Sequence, residues 1–274
     1  MKSFKTKVAV ITGAGSGIGR ALAIQLATEG ASLALTDLNV EGLKETVQRC
    51  ESVGAKVFST VSNAAKLEEV KSFVQNVITQ YGRVDLIFNN AGIALGKKTL
   101  LESNYEEWEK IMGVNLWGVI YGTKEFLPHL LKQPEAAVIN ISSIFGLAGI
   151  PEQTPYCTTK FAVRGFSESL RGELENTNVQ VYCVHPGGIN TNIAEDALKE
   201  AQGNPQKLKE VTNFKKMLVH SPEKAAHVIL SAVKKQNYKV LIGEEAYVFD
   251  AMTRIFPLNY NKIIEFGLKK LIKK

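Results

Sequence analysis

The sequence predicts a single-domain α/β fold: a doubly wound parallel sheet of about seven strands with helices on both faces. Three observations predict it. Short apolar, β-branched runs alternate with longer amphipathic stretches from end to end. The apolar runs are near-continuous, as strands of a parallel sheet covered on both faces must be. No low-complexity linker or fixed-period repeat divides the 274 residues, a length that one α/β domain can fill with a sizeable core.

The elements follow in order. "KVAVIT" (7–12) is the first strand; the lysines before it imitate a signal peptide, but its apolar run is far too short for one. It leads through four glycines into a helical pattern at 17–29. "SLALTD" (32–37) and a helix over 40–53 come next, then "KVFST" (56–60) with a helix over 66–81. "DLIFNN" (85–90) precedes a long pattern at 105–132, and "AAVINIS" (136–142) precedes one at 155–176. Thr154 and Pro155 read as N-cap and N1 of that last helix. "VQVYCV" (179–184) opens an excursion carrying helical spacing over 191–217, followed by a helix at 222–236 and the strand "KVLIG" (239–243). Residues 1–257 are expected to form the domain, 192–220 a lid at the carboxyl edge of the sheet, and 258–274 a basic amphipathic tail.

Composition narrows the function classes. The chain is 45% hydrophobic and 22% charged, ordinary for a soluble globular protein, and nowhere do 18 apolar residues run together. Of the net charge of +6, the last fourteen residues supply 5 − 1 = +4, so the body is nearly neutral and nucleic acid is not an expected partner. Cys50, Cys157 and Cys183 are scattered and odd in number, which suits free thiols in a reducing, cytoplasmic compartment. No metal site is expected. His129, His220 and His227 read as structural, and His185 as placed by its backbone beside "PGG".

Two local patterns point to chemistry. "TGAGSGIG" lies between the first strand and its helix, where glycines let the backbone turn tightly and approach a pyrophosphate held at the helix N-terminus. Gly13, Ser16, Gly17, Ile18 and Gly19 are the expected binding set. Asp37, at the end of the second strand, can accept both ribose hydroxyls and repel a 2′-phosphate, which favours NAD over NADP; its alternative role is to cap the following helix. Arg20 is expected on the helix exterior. In "TPYCTTK", Tyr156 and Lys160 are four apart and share a helix face. Holding a phenol of pKa ~10 ionised near neutral pH costs roughly 4 kcal/mol. A lysine ~6 Å away at an effective dielectric of ~20 supplies roughly 2–3 kcal/mol of that. The helix dipole and an oxidised nicotinamide ring are left to supply the rest.

Taken in order, "TGAGSGIG", "NNAG" (89–92), Asn115, "NISS" (140–143), "YCTTK" and "PGGINT" (186–191) resemble the short-chain dehydrogenase/reductase family over roughly residues 5–250. The resemblance implies a Rossmann-like fold and an NAD-dependent oxidoreductase acting on a small alcohol or carbonyl substrate. It implies Tyr156 as catalytic acid/base, Lys160 as its partner and ribose ligand, and Ser143, better than Ser142, as the group polarising the substrate. Asn115 would hold a proton-relay water. Asn89, Ala91, Gly92, Pro186, Gly187, Ile189 and Thr191 would lie along the cofactor. One departure is that Thr60 stands where such chains carry an acidic residue against the adenine, so the contact falls to Thr60 or the Val61 backbone.

The resemblance further implies pairing into a homodimer or homotetramer through the helices at 105–132 and 155–176. Trp108, Trp117 and Phe166 would be buried there or in the monomer core. Apolar residues spaced along 192–226 either pack on the body or line a pocket, and a hydrophobic secondary alcohol or ketone is the expected substrate. Ile264, Leu268, Leu271 and Ile272 with surrounding lysines make an interfacial contact with anionic lipid one expectation for the tail, beside an oligomer contact or a solvated end. A catalytically silent dinucleotide-binding sensor or scaffold is the competing reading, and a nucleotide-sugar epimerase or dehydratase a third. A pure binder has no need of a phenol beside an ammonium.

Overall fold

The computed structural model describes residues 1–191, 212, 215 and 218–264. Among them, seven parallel strands form one sheet in the order β3-β2-β1-β4-β5-β6-β7. They are β1 (Val8–Thr12), β2 (Ser32–Asp37), β3 (Val57–Val61), β4 (Leu86–Asn89), β5 (Ala136–Ile141), β6 (Val179–Pro186) and β7 (Lys239–Ile242). The helices are α1 (Gly17–Thr28), α2 (Val40–Glu51), α3 (Leu67–Tyr81), α4 (Tyr105–Met112), α5 (Gly118–Leu130), α6 (Thr154–Glu173), α7 (Pro222–Lys235) and α8 (Glu244–Ile255).

The near-continuous apolar reading of the strands has its cause in two cores. Successive side chains of a strand point to opposite faces. Ala9 and Ile11 of β1, with Leu33, Leu35, Phe88 and Ile139, meet Leu22 and Leu26 of α1 and Ile229 of α7 on one face. Val8 and Val10, with Ala34, Ile87 and Val138, meet Val70 and Phe73 of α3, Phe126 of α5 and Leu170 of α6 on the other. Each of the Val, Leu, Ile and Phe side chains among them, fully buried, stabilises the fold by roughly 1.5–3 kcal/mol before ordering costs. A charge at Leu35 or Ile87 would have no compensating partner on either face.

Three expectations change. The pattern at 105–132 is not one helix: a π-helical turn, Gly113–Trp117, separates α4 from α5. The N-cap of α6 is Gln153, not Thr154, and Pro155 sits in its first turn. The Gln153 side chain instead donates to the Gly96 carbonyl at 2.9 Å. Helix α8 follows β7 where no helix was expected.

The expected helix over 191–217 and lid over 192–220 fall largely outside the described residues, as do 265–274 of the tail. The described start of the tail is not a detached segment. The Gly149 amide donates to the Tyr260 hydroxyl at 3.2 Å, and Ile264, for which lipid, an oligomer contact and solvent were the alternatives, is buried at 9% exposure. No helix among the described residues is long and apolar enough to cross a membrane.

The order of strands positions the site. The chain winds outward from β1 to β3, then returns to β4 on the other side of β1. The crevice beyond the carboxyl ends of β1 and β4 is therefore the switch point where open α/β sheets bind ligands. The glycine loop leaves β1 there, and "NNAG" leaves β4.

Candidate active site

The glycine loop is built so that backbone faces the crevice. Gly13 and Gly17 adopt positive φ of 65° and 51°, a region that costs a side chain strain. A Cβ on Gly19 would lie 2.1 Å from the Gly13 carbonyl oxygen, and one on Gly13 would lie 2.8 Å from Ala91 Cα. Only glycine fits at either place. Ser16 is the N-cap of α1 but makes no side-chain cap bond, and the first turn of α1 carries no acidic residue. The first amides of the helix and the positive end of its dipole are thus left to an anion. The residues present fit a pyrophosphate.

Asp37 ends β2 beside this loop. Its Oδ2 accepts from the Gly15 amide at 2.7 Å and its Oδ1 from the Asn39 amide at 2.8 Å. The cap of α2 is Asn39, which accepts from Gly42, so Asp37 does not serve as the cap. Arg20 does not face outward as expected. It turns beneath the loop, donating to the carbonyls of Gly15 at 2.6 Å and Gly42 at 3.2 Å and to Thr46 Oγ1 at 3.0 Å, with Glu45 as its ion partner. Thr60 and Val61 on β3 lie in register with Thr36 and Asp37. They flank the same edge of the crevice.

The "NNAG" residues divide their work. The Asn89 side chain, expected along the cofactor, is spent inside the sheet: it donates to Thr123 Oγ1 at 2.9 Å and Asn140 Oδ1 at 2.8 Å. Its Oδ1 is buried against Gly122, without a partner among the described residues. Asn90, not singled out in the sequence, holds the loop by donating to the carbonyls of Thr12 and Gly13, each at 3.0 Å. The Ala91 amide donates to Thr12 Oγ1 at 3.1 Å. Gly92 lets two polar groups close in: a Cβ there would lie 3.4 Å from Asn115 Oδ1 and 3.5 Å from Lys160 Nζ.

Asn115 stands fully buried in the π turn, a helix irregularity often found at functional sites. Its side chain accepts from the Ile93 amide at 2.8 Å and donates to the Ile93 carbonyl at 2.9 Å and Thr159 Oγ1 at 3.3 Å. The side chain is therefore a clamp on the strand-end loop.

Tyr156, Lys160 and Ser143 come together as the motif spacing requires. The Lys160 ammonium lies 5.5 Å from the Tyr156 ring centroid and donates to the Ile141 carbonyl at 3.0 Å. Ser143 Oγ accepts from the Phe145 amide at 3.1 Å and stands near enough to the Tyr156 hydroxyl to draw its pKa down, whereas Ser142 turns away and donates to the Lys160 carbonyl at 2.8 Å. Phe145 packs edge-on against the phenol ring at 6.0 Å. Electrostatically, burial dominates both groups. It pushes the phenol up to about 12 despite Ser143, and it pushes Lys160 down to about 8. The lysine does not by itself acidify the phenol. The phenol retains partial exposure, so its ionisation responds to what enters the cleft. Behind Ser143, the fully buried His185 places Nδ1 3.0 Å from the Ser143 carbonyl, and burial pushes the imidazole down to about 4. The neutral ring donates there and fixes the serine backbone.

The sixth strand runs to Pro186, and the Gly187 amide continues its ladder to the Ile242 carbonyl at 2.9 Å. Ile189 is buried at 5% exposure. The Thr191 methyl would lie 3.1 Å from a Cβ on Gly17. Thus the far loop reaches the glycine loop across the crevice.

Fold and site together define a dinucleotide-binding α/β scaffold with a Ser-Tyr-Lys constellation at its switch point. A family model described as short chain dehydrogenase matches residues 7–202, and the chain belongs to that family of oxidoreductases. SadH of Mycobacterium tuberculosis, named no further than as an oxidoreductase, is 42% identical over 272 residues, 98% of each chain. The 3-oxoacyl-[acyl-carrier-protein] reductase FabG of Thermotoga maritima is 35% identical, covering 82% of this chain and 89% of its own. Among solved structures, a short chain dehydrogenase/reductase from Burkholderia phymatum in complex with NAD superposes with a TM-score of 0.85 at 30% identity, covering 93% of this chain and 95% of that one.

Proposed function

We propose that the protein is an NAD-preferring oxidoreductase interconverting a hydrophobic secondary alcohol and its ketone, with Tyr156 as acid/base. The observation that carries this reading is the Tyr156 hydroxyl, beside Ser143 and overlooked by the Lys160 ammonium, at the mouth of a crevice floored by a pyrophosphate-shaped glycine loop. The dinucleotide supplies hydride transfer when bound. The chain's own residues do the rest. Gly13, Ser16, Gly17, Ile18 and Gly19 hold the pyrophosphate, Asp37 the adenosine ribose, Thr60 and Val61 the adenine side. Asn89 and Ala91 offer main chain, Gly92 leaves space, and Pro186, Gly187, Ile189 and Thr191 hold the carboxamide end. Lys160 binds the second ribose.

Tyr156 gives a proton to the carbonyl oxygen in reduction or takes it from the hydroxyl in oxidation, while Ser143 hydrogen-bonds the same oxygen. A phenol kept protonated by burial suits the donor role. Lys160 and the Asn115 turn lie behind it as a route for the proton. The preference for NAD rests on Asp37 and on Arg20, whose guanidinium is committed to the loop carbonyls and Glu45. Leu95 and Pro155 line the cleft beside Tyr156 together with Lys98, Ser103, Glu152 and Gln153, so the apolar substrate rests on the name of the Thermotoga relative, a 3-oxoacyl-[acyl-carrier-protein] reductase. The 192–220 excursion serves as the lid of a domain spanning 1–257, in a cytoplasmic homo-oligomer.

The test is a panel of secondary alcohols and ketones assayed by NADH absorbance, with NADPH in parallel and Tyr156→Phe as control. NADH-linked turnover that falls about 10²–10⁴-fold in Tyr156→Phe is expected. Full turnover in that variant would refute the assignment.

A further inference from the structure

Glu245 has no role in the reaction as described, and neither it nor His220 lies in any of the motifs that resemble the family. The structure nonetheless builds a seat for its carboxylate. Oε1 accepts from the Gly188 amide at 2.7 Å, and Oε2 lies 3.2 Å from His220 Nε2. A Cβ on Gly187 would fall 2.0 Å from the carboxylate, and one on Gly243 would fall 2.6 Å from it. Gly243 holds a φ of 92°, so glycine there serves both the turn and the seat. Burial alone would push the Glu245 carboxyl up. The amides of Gly188 and Glu245 and the His220 ring outweigh that and hold it below the usual range, hence ionised at neutral pH. Its place in the first turn of α8 adds the helix dipole to the same effect.

Three separate stretches meet at this carboxylate. The loop 186–191 is paired to the chain at 220: the His220 amide donates to the Gly188 carbonyl at 3.1 Å, and the Asn190 amide donates to the His220 carbonyl at 2.9 Å, forming an isolated bridge between Ile189 and His220. Glu245 holds one partner of that bridge, the His220 ring, with Oε2, and the amide of Gly188, the neighbour of the other partner, with Oε1. Beyond it, Thr191 rests near Gly17 of the glycine loop. Nothing in the strand or helix ladders demands a carboxylate here, because β7 is already paired along its length with β6.

We infer that Glu245 is a positioning residue that couples the Pro186–Thr191 loop to His220 and so fixes that loop for cofactor binding. This inference rests on the proposed reading of that loop as the nicotinamide-side contact. Without the carboxylate, the Gly188 amide loses its acceptor and the bridge to His220 loses its anchor. The loop then samples positions that do not present Ile189 and Thr191 together, and cofactor affinity falls by the fraction of time lost. Glutamine is the informative replacement, since its Oε1 can still accept from Gly188 while its amide donates to the His220 ring in the other tautomer.

The experiment measures NADH dissociation by cofactor fluorescence and the melting of the cofactor-free protein, for wild type, Glu245→Ala, Glu245→Gln and His220→Ala. Glu245→Ala is expected to weaken NADH about tenfold or more and raise KM for NADH in step, with kcat at saturating cofactor within about threefold. Glu245→Gln should restore affinity to within about threefold of wild type, and His220→Ala should fall between the two. A folded Glu245→Ala that binds NADH as wild type does would overturn the inference, and so would a Glu245→Gln as weak as Glu245→Ala. If Glu245→Ala does not fold, His220→Ala decides: unchanged NADH affinity overturns the coupling. A wild type that binds no NADH would instead sink the reading of the loop itself.

Discussion

At the scale of single residues, the site is a contest between burial and partners. Spacing alone showed that Tyr156 and Lys160 share a helix face, and a sum of Coulomb and dipole effects made a mildly acid phenol plausible. Burial reverses that sum in the chain by itself, raising Tyr156 to about 12 and lowering Lys160 to about 8. Desolvation is a property of three-dimensional surroundings, and no spacing in the sequence carries it. The same holds for His185, whose neighbour Ser143 is 42 residues distant. Its ring resists protonation in the fold, with a value of about 4 against the usual 6.5. The folded chain therefore binds fewer protons than the unfolded one between those values. Stability from this group is full above pH 6.5 and declines as pH falls toward 4, by roughly 3 kcal/mol at most. Denaturant unfolding of wild type and His185→Asn, which keeps a donor for the Ser143 carbonyl, should converge over that window as pH drops. Parallel curves would show that His185 is not held neutral.

At the scale of elements, what is local in sequence was legible and what depends on one residue of helical phase was not. The glycine loop lies between a strand and a helix, and the structure puts it there with Gly13, Gly17 and Gly19 in positions that exclude a side chain. Gly19→Ala should therefore force apart the two turns of the loop, since the atom met at 2.1 Å is backbone. A loss of NADH affinity of more than about tenfold is expected, with a lowered melting temperature; unchanged binding would contradict the packing described. The stretch at 105–132 kept its helical period well enough to read as one helix, yet the turn at Gly113–Trp117 absorbs an extra residue. Apolar periodicity is too coarse to register that. Helix α8 was missed because "EEAYVFDAMTRI" leaves most of one face exposed, Tyr247 and Val248 among it. Glu245 went unseen with it, its partners lying 25 and 57 residues away. Arg20 was misplaced for a related reason: its acceptors at Gly42 and Thr46 belong to the next βα unit.

At the scale of the molecule, alternation of strands and helices was enough to give the parallel sheet, because one with right-handed crossovers has few ways to wind; the strand order, and with it the switch point, is read from the structure. The outer surface is less determined by pattern. Trp117, left open between core and interface by the sequence, is 47% exposed and stacks on Tyr121 at 5.6 Å, while Phe161 on α6 is 39% exposed. Trp108, by contrast, is partly buried and bonded to Ser103. Large aromatics presented on the α4–α5 and α6 sides are what a second copy of the chain would cover. In the proposed homo-oligomer, Trp117→Glu is expected to shift the mass seen by light scattering toward monomer. An unchanged oligomer would place the interface elsewhere.

The central claim is that Tyr156 ionises within reach of neutral pH only when an oxidised dinucleotide adds its positive ring to the Lys160 ammonium. Tyrosinate absorbance titrated in wild type minus Tyr156→Phe, with and without NAD, tests it directly. Without NAD the difference should show no ionisation below about pH 11; with NAD a single ionisation should appear at markedly lower pH. A difference titration that NAD leaves unmoved would contradict the account.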